Sequence, residues 1–199
     1  AGRWAGSYDL EGEFDLGKLL RLPGARLYVG AEGSWPAEAG IDPPSVGSAV
    51  GNVNADAAGC RTIDLTEFWY EQALWDGRVR FRIGKLDLTG TFECRGCPVS
   101  FDGNSFANDE TAQFLNAALV NNPTIPFPDC GLGAIVHLEP LEGLYVSAGV
   151  ADADADAREM GFNTAFCGEC NWFSIYEVGV VPHLPSPNGP LPGAYRAGL

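Results

Sequence analysis

Asp76-Gly77 sits between two runs, Ile63 to Trp75 and Arg78 to Asp87, in which large apolar residues alternate with charged ones. Both central positions of a two-residue hairpin turn need positive φ, and Asp-Gly supplies it with little strain, so the dipeptide predicts a tight antiparallel hairpin. A turn of that size fixes the register. Trp75 is expected to face Arg78, Leu74 to face Val79, Gln72 to face Phe81, Glu71 to face Arg82, and Tyr70 to face Ile83. Successive side chains of a strand point to opposite sides, so this register sorts the hairpin into two faces. One face carries Phe68, Tyr70, Leu74, Val79, Phe81 and Ile83, with Gln72 as its polar member. The other carries Glu67, Trp69, Glu71, Arg78, Arg80 and Arg82, with Glu71 directly across from Arg82 as a cross-strand ion pair. An apolar outside and a charged inside are what a β-barrel in lipid around a watery lumen requires.

The pattern recurs along the chain. Tyr8, Leu10, Phe14 and Leu16 alternate with Ser7, Asp9, Glu11, Glu13 and Asp15, and after Gly17–Gly24 the return strand alternates Leu27, Val29 and Ala31 with Tyr28, Gly30 and Glu32. A third hairpin is expected to join Gly131–Leu138 to Leu144–Ala151 through Glu139–Gly143, and a fourth to join Trp172–Val181 to Ala194–Leu199 through a Pro-rich turn. Short links then alternate with long ones over 36–62, 88–130 and 152–171, and short turns at one end with long loops at the other are an outer-membrane pattern. The middle long connection is expected to hold one helix near Glu110–Val120, where Phe114, Leu115, Ala118 and Leu119 share a face. Although 46% of residues are hydrophobic, no run approaches the roughly 18 apolar residues of a membrane helix, so a membrane reading has to use strands. The fold class expected is all-β, an antiparallel transmembrane β-barrel with about eight strands present.

Several function classes fall away. A net charge of −14 argues against nucleic acid, whose phosphates need clustered Lys and Arg. No P-loop, dinucleotide fingerprint or nucleophile elbow is present. Glu67 and Glu71 would lie about 13 Å apart along one strand, too far for a glycosidase acid and its partner, and Glu71 is already matched with Arg82, so no catalytic residue and no enzyme activity is expected. Asp152-Ala-Asp-Ala-Asp-Ala157 lacks the Gly and Glu of a calcium-binding loop and reads as a solvated acidic loop. His137 and His183 fall near expected turns with no evident partner.

Six cysteines, Cys60, Cys94, Cys97, Cys130, Cys167 and Cys170, all fall in or beside the long connections and hence toward one rim. An even number at an oxidising surface suits disulfides, with unpaired thiols as the second reading. Cys94-Arg-Gly-Cys97 and Cys167-Gly-Glu-Cys170 also match zinc-ligand pairs, although their separation is much longer than in a zinc ribbon, so metal is not the expectation, and neither pair precedes His as haem attachment would need.

Three stretches resemble a known family. Asp9-Leu-Glu-Gly-Glu-Phe-Asp-Leu-Gly-Lys-Leu-Leu-Arg-Leu-Pro-Gly-Ala25, Leu65-Thr-Glu-Phe-Trp-Tyr-Glu-Gln-Ala-Leu-Trp-Asp-Gly-Arg-Val-Arg-Phe-Arg-Ile-Gly-Lys-Leu-Asp87 and Asn121-Asn-Pro-Thr-Ile-Pro-Phe-Pro128 are similar to carbohydrate-selective porins of the OprB type. The resemblance implies a barrel of about 16 strands in the bacterial outer membrane, of which the strands here would be half, passing sugars by diffusion without a cofactor. It implies sugars and outer-membrane lipid as partners and leaves assembly with further copies open. Residues 1–199 would be a single barrel segment, incomplete at both ends: Ala1–Arg21 lacks the apolar core of a signal peptide, and Ala194–Leu199 reads as a strand stopped partway. Arg and Glu can hydrogen-bond sugar hydroxyls and an aromatic ring can cover the apolar face of a pyranose, so Glu67, Trp69, Glu71, Arg78, Arg80 and Arg82 are the expected pore-lining and substrate-binding set. Two other readings stay open at this point: a secreted, disulfide-held all-β carbohydrate-binding module, and a Cys-rich surface protein organising zinc.

Overall fold

Asp76-Gly77 closes its hairpin in the expected register. Leu74 pairs with Val79, Gln72 with Phe81, Glu71 with Arg82 and Tyr70 with Ile83. Asp76 and Gly77 hold φ of 56° and 85°, and the Arg78 N–H donates to the Trp75 carbonyl at 3.2 Å, as a primed turn requires. Trp75 joins them at φ 51°, its own turn closed by the Gly77 N–H on the Leu74 carbonyl. The left-handed stretch therefore starts one residue earlier than the dipeptide alone predicts.

The computed structural model describes residues 6–35, 63–87, 130–155, 160–166, 168, 170–193 and 195–199. In chain order the elements are β1 (Gly6–Asp15), α1 (Leu16–Leu20), β2 (Ala25–Trp35), β3 (Ile63–Leu74), β4 (Val79–Asp87), β5 (Cys130–Leu141), β6 (Leu144–Asp152), α2 (Phe162–Phe166), β7 (Trp172–Val180), β8 (His183–Leu184), β9 (Leu191–Pro192) and β10 (Tyr195–Gly198). Eight strands form one antiparallel sheet in the order β1-β2-β3-β4-β5-β6-β7-β10, and β8 and β9 form a separate ribbon within the connection from β7 to β10. The first and last strands of the large sheet do not pair with each other, so the described sheet is open.

All four expected hairpins are present, with three local differences. Leu16 does not extend the first strand: the Asp15 carboxylate caps the Lys18 N–H at 3.1 Å and opens a one-turn helix, which Arg21 ends in the left-handed conformation at φ 59°. The third hairpin turns on Glu142-Gly143 alone, because β5 runs on through Pro140 to Leu141 by a register shift after Leu138. The fourth carries the β8–β9 ribbon inside its Pro-rich connection, while Val180 still pairs with Tyr195 as the outer hairpin demands. The helix expected near Glu110–Val120 lies outside the described residues.

The two faces differ in exposure, and the buried apolar cluster of Trp69, Leu86, Ile135 and Ala151 lies on the side of the charged residues. On the apolar face, Leu10, Phe14, Phe68, Ile83, Val146 and Tyr176 are between 41% and 54% exposed. On the polar face, Trp69, Glu71, Arg82, His137, Tyr145 and Ser147 are all 8% exposed or less. A water-soluble sheet hides its apolar side and wets its charges; this one leaves apolar side chains uncovered across every hairpin. Polar groups on the apolar face are satisfied locally. Gln72 accepts from the Tyr70 hydroxyl at 2.6 Å and donates to the Pro23 carbonyl at 2.8 Å, and the Lys85 ammonium donates to the Leu65 carbonyl at 2.6 Å.

Two glycines separate turn strain from packing. Gly77 has open space where a Cβ would sit, so Gly77→Ala is expected to cost only the left-handed penalty, about 1–2 kcal/mol. At Gly84, with φ +143°, a Cβ would land on the Phe68 carbonyl oxygen and 2.7 Å from the Trp69 Cα, so β4 could not lie against β3. Thermal melts of the detergent-solubilised protein should show a much larger loss for Gly84→Ala than for Gly77→Ala; equal losses would mean that strand contact at Gly84 is unimportant.

Candidate functional site

Away from the register shifts at Gly30/Ala31 and Leu138/Leu141, side chains of the polar face line up in transverse rows. One row runs Asp15, Arg26, Glu71, Arg82, alternating in charge across β1 to β4. The next runs Glu13, Tyr28, Trp69, Gly84. Arg82 lies where these rows meet. Its Nη2 and Nε both donate to Glu71 Oε2, at 2.8 and 3.2 Å, and its Cζ lies 3.8 Å from the centre of the Trp69 ring. The other face of Trp69 stacks on Tyr28, with centroids 4.9 Å apart and planes 12° from parallel. The Trp69 indole N–H donates to Glu67 Oε2 at 2.8 Å. Gly84 opposite Trp69 leaves room for this arrangement, since any side chain there would meet the Trp69 backbone.

The outcome is a three-layer stack, tyrosine on tryptophan on guanidinium, braced by two carboxylates. A guanidinium over an indole face gains cation–π attraction, which strengthens as water is excluded, and the ion pair meets the same condition. Both faces of Trp69 are occupied, so the ring is not available as a platform for a flat solute. Of the six residues singled out from sequence, Glu67, Trp69, Glu71 and Arg82 come together here. Arg80, two residues along, is cross-strand from His137, and its buried Nε has no hydrogen-bond partner among the described residues. Arg78 is exposed in the turn.

A second cluster occupies the same face on β5 to β7. His137 sits inside β5 rather than beside a turn, and it has partners: its Nδ1 is 2.7 Å from the Ser147 hydroxyl, and its ring stacks on Tyr145 at 5.2 Å. The Tyr145 hydroxyl donates to Glu177 Oε1 at 2.6 Å. Arg80, His137, Ser147 and Glu177 thus form one polar row across four strands. The same alternation, followed from β5 into β7, would have placed all of these on the polar face; cross-strand partnership is invisible until register is known.

The acidic run is not wholly solvated. Asp152 is 1% exposed at the end of β6, with Oδ1 accepting the Asp154 N–H at 2.9 Å, and Asp154 in turn holds both the backbone N–H and the side-chain amide of Asn171. It fastens the two ends of the connection from β6 to β7. No group of three or more His, Cys, Asp or Glu is placed to hold a metal among the described residues. Cys130 is buried at the start of β5, and the Cys170 sulfur lies 3.7 Å from the Gly168 carbonyl, so no disulfide joins these two. Cys60, Cys94, Cys97 and Cys167 lie outside the described residues.

The Glu71–Arg82 pair is nearly closed to water, with side chains 7% and 6% exposed, so removing one partner strands the other. Glu71→Ala should cost about 3–5 kcal/mol in detergent melts, and the double change Glu71→Leu with Arg82→Met should recover most of it. A single change without effect would show that the pair is solvated.

A family model described as "Carbohydrate-selective porin, OprB family" matches residues 1–199. The fold agrees with a solved structure of Pseudomonas putida OprB at high pH, with a TM-score of 0.62 at 18% identity. That match covers 98% of this chain and 44% of the other, so the chain spans less than half the length of the structure it resembles. A curated Aquifex aeolicus protein of uncharacterized function is 40% identical over 60 residues, 30% of this chain and 19% of the relative. With a family model matched along its entire length, and an open eight-stranded sheet that superposes on part of a porin barrel, the chain belongs to the carbohydrate-selective porin family of the OprB type.

Proposed function

We propose that this chain forms part of a bacterial outer-membrane pore through which carbohydrates and other small hydrophilic solutes diffuse. The observation that carries the reading is the inversion of the two faces: an apolar surface left uncovered, and a polar surface on which the Glu71–Arg82 ion pair is buried. Lipid is the medium in which such an apolar face is covered, and a wet lumen is the place for the other. On this reading Glu67, Trp69, Glu71, Arg78, Arg80 and Arg82 belong to the lumen wall, with Trp69 and Arg82 bracing it from within. Residues 1–199 contribute one wall of a single barrel.

A wall that carries both signs of charge suits neutral hydroxylated solutes better than ions of one sign. Passage needs no covalent step and no cofactor.

Single-channel recording in planar bilayers with the full-length protein tests the reading. Stepwise ohmic openings that added sugar reduces are expected. Openings indifferent to sugar would drop the carbohydrate substrate, and folded protein that stays soluble without detergent and gives no openings would point to a binding module. Lipid contact has its own test. Ile83 is 48% exposed on the apolar face, and Ile83→Arg should cost about 2–4 kcal/mol near the bilayer midplane while Ile83→Leu is tolerated. Free acceptance of arginine there would remove lipid from the apolar face.

A further inference from the structure

Within the sugar-passage reading above, on which this inference rests, we infer that Tyr28 carries the platform on which a passing sugar ring stacks, with Glu11, Glu13 and Arg26 as its hydroxyl-binding partners. Tryptophan is the usual choice for such a platform, yet Trp69 has Tyr28 against one face and the Arg82 guanidinium against the other. Tyr28 ends the stack. It is half-buried, and on the polar face its cross-strand neighbours are Trp69 in β3 and Glu13 in β1.

The groups around that ring are the ones a pyranose needs. Glu13 is exposed and accepts from Arg26 Nη1 at 3.0 Å, so a carboxylate and a guanidinium are presented side by side. Glu11, the next residue after Glu13 on this face of β1, is exposed and lies across from Gly30. Gly30, the next residue on this face of β2, carries no side chain to crowd the ring; a Cβ there would come within 3.1 Å of Tyr28 Cε1. A sugar has an apolar face of C–H bonds and a rim of hydroxyls that donate and accept. An aromatic face flanked by paired opposite charges meets both without favouring an ion. The stack also holds the ring in place: Trp69 fixes one side, and Arg82 and Glu67 fix Trp69, so little freedom is lost when a sugar arrives.

The test is glucose block of single-channel current in the full-length protein, read as the half-blocking concentration. Tyr28→Ala and Tyr28→Leu should each raise it about five- to tenfold while open pores still form. Tyr28→Phe, which keeps the flat ring, should stay within about twofold of the parent. Parent-like block in either non-aromatic variant overturns the assignment of Tyr28 and leaves sugar passage standing. Absence of glucose block in the parent protein overturns the carbohydrate reading and this inference with it. Because Leu retains apolar bulk, a pore that fails to assemble with Ala still leaves a variant in which the outcome can be read.

Discussion

A guanidinium withdrawn from water has to be matched on every side, and the polar face of this sheet is organised around how Arg82 meets that demand. Glu71 neutralises its charge, Trp69 covers its plane, and each of those is tied to something further: Trp69 to Glu67 and Tyr28, Glu71 to its place in a charge-alternating row. Apart from the Trp69–Glu67 bond within β3, these contacts join residues distant in sequence. The cross-strand contacts exist because β2 up to Gly30, β3 and β4 hold one register, and a slip by one residue would send Glu71 and Trp69 to the apolar side. The network therefore enforces register as well as benefiting from it. A buried ion pair is weak evidence of net stability, but it is a strong device against misalignment, since every wrong register leaves a charge without its partner.

The apolar face imposes the complementary condition. Its side chains pack little against one another and are left uncovered, so the strands are held chiefly by their backbone ladders and by the polar face. That explains why the polar residues placed on it are committed to nearby groups: Gln72 to Tyr70 and the Pro23 carbonyl, Lys85 to the Leu65 carbonyl. A polar group that satisfies itself within the wall can sit on a surface meant for an apolar medium.

Much of the fold was legible in the sequence, for a definite reason. The turn at Asp76-Gly77 sets a register, and with a strand period of two, one register determines the face of every residue in its hairpin. The pairings of Tyr70, Glu71, Gln72 and Leu74 follow from that turn alone. What escaped were features decided by single hydrogen bonds or by distant strands. Leu16 fits an extended strand by alternation, yet the Asp15 cap turns it into a helix. His137 has no partner in its own segment, because Ser147 and Tyr145 arrive from the next strand. The candidate residues were likewise readable as a group sharing a face, but whether a given ring is open or sandwiched depends on three strands at once, which is why Trp69 stood out in sequence and Tyr28 did not.

The outer edge of β1 has a consequence of its own. With Asp9, Glu11, Glu13 and Asp15 on one side and Tyr8, Leu10 and Phe14 on the other, the strand is a strongly two-sided template whose phase is set by the seven strands beyond it. Any strand that hydrogen-bonds to that edge, which is unpaired among the described residues, inherits the phase: its residues opposite the carboxylates must tolerate water and negative charge, and those opposite Tyr8, Leu10 and Phe14 must tolerate an apolar medium. An out-of-phase partner would have to lay apolar side chains against four carboxylates. Alternation at the edge thus acts as a parity check on closure, admitting a neighbouring strand in one phase and rejecting it in the other before any long-range contact has formed.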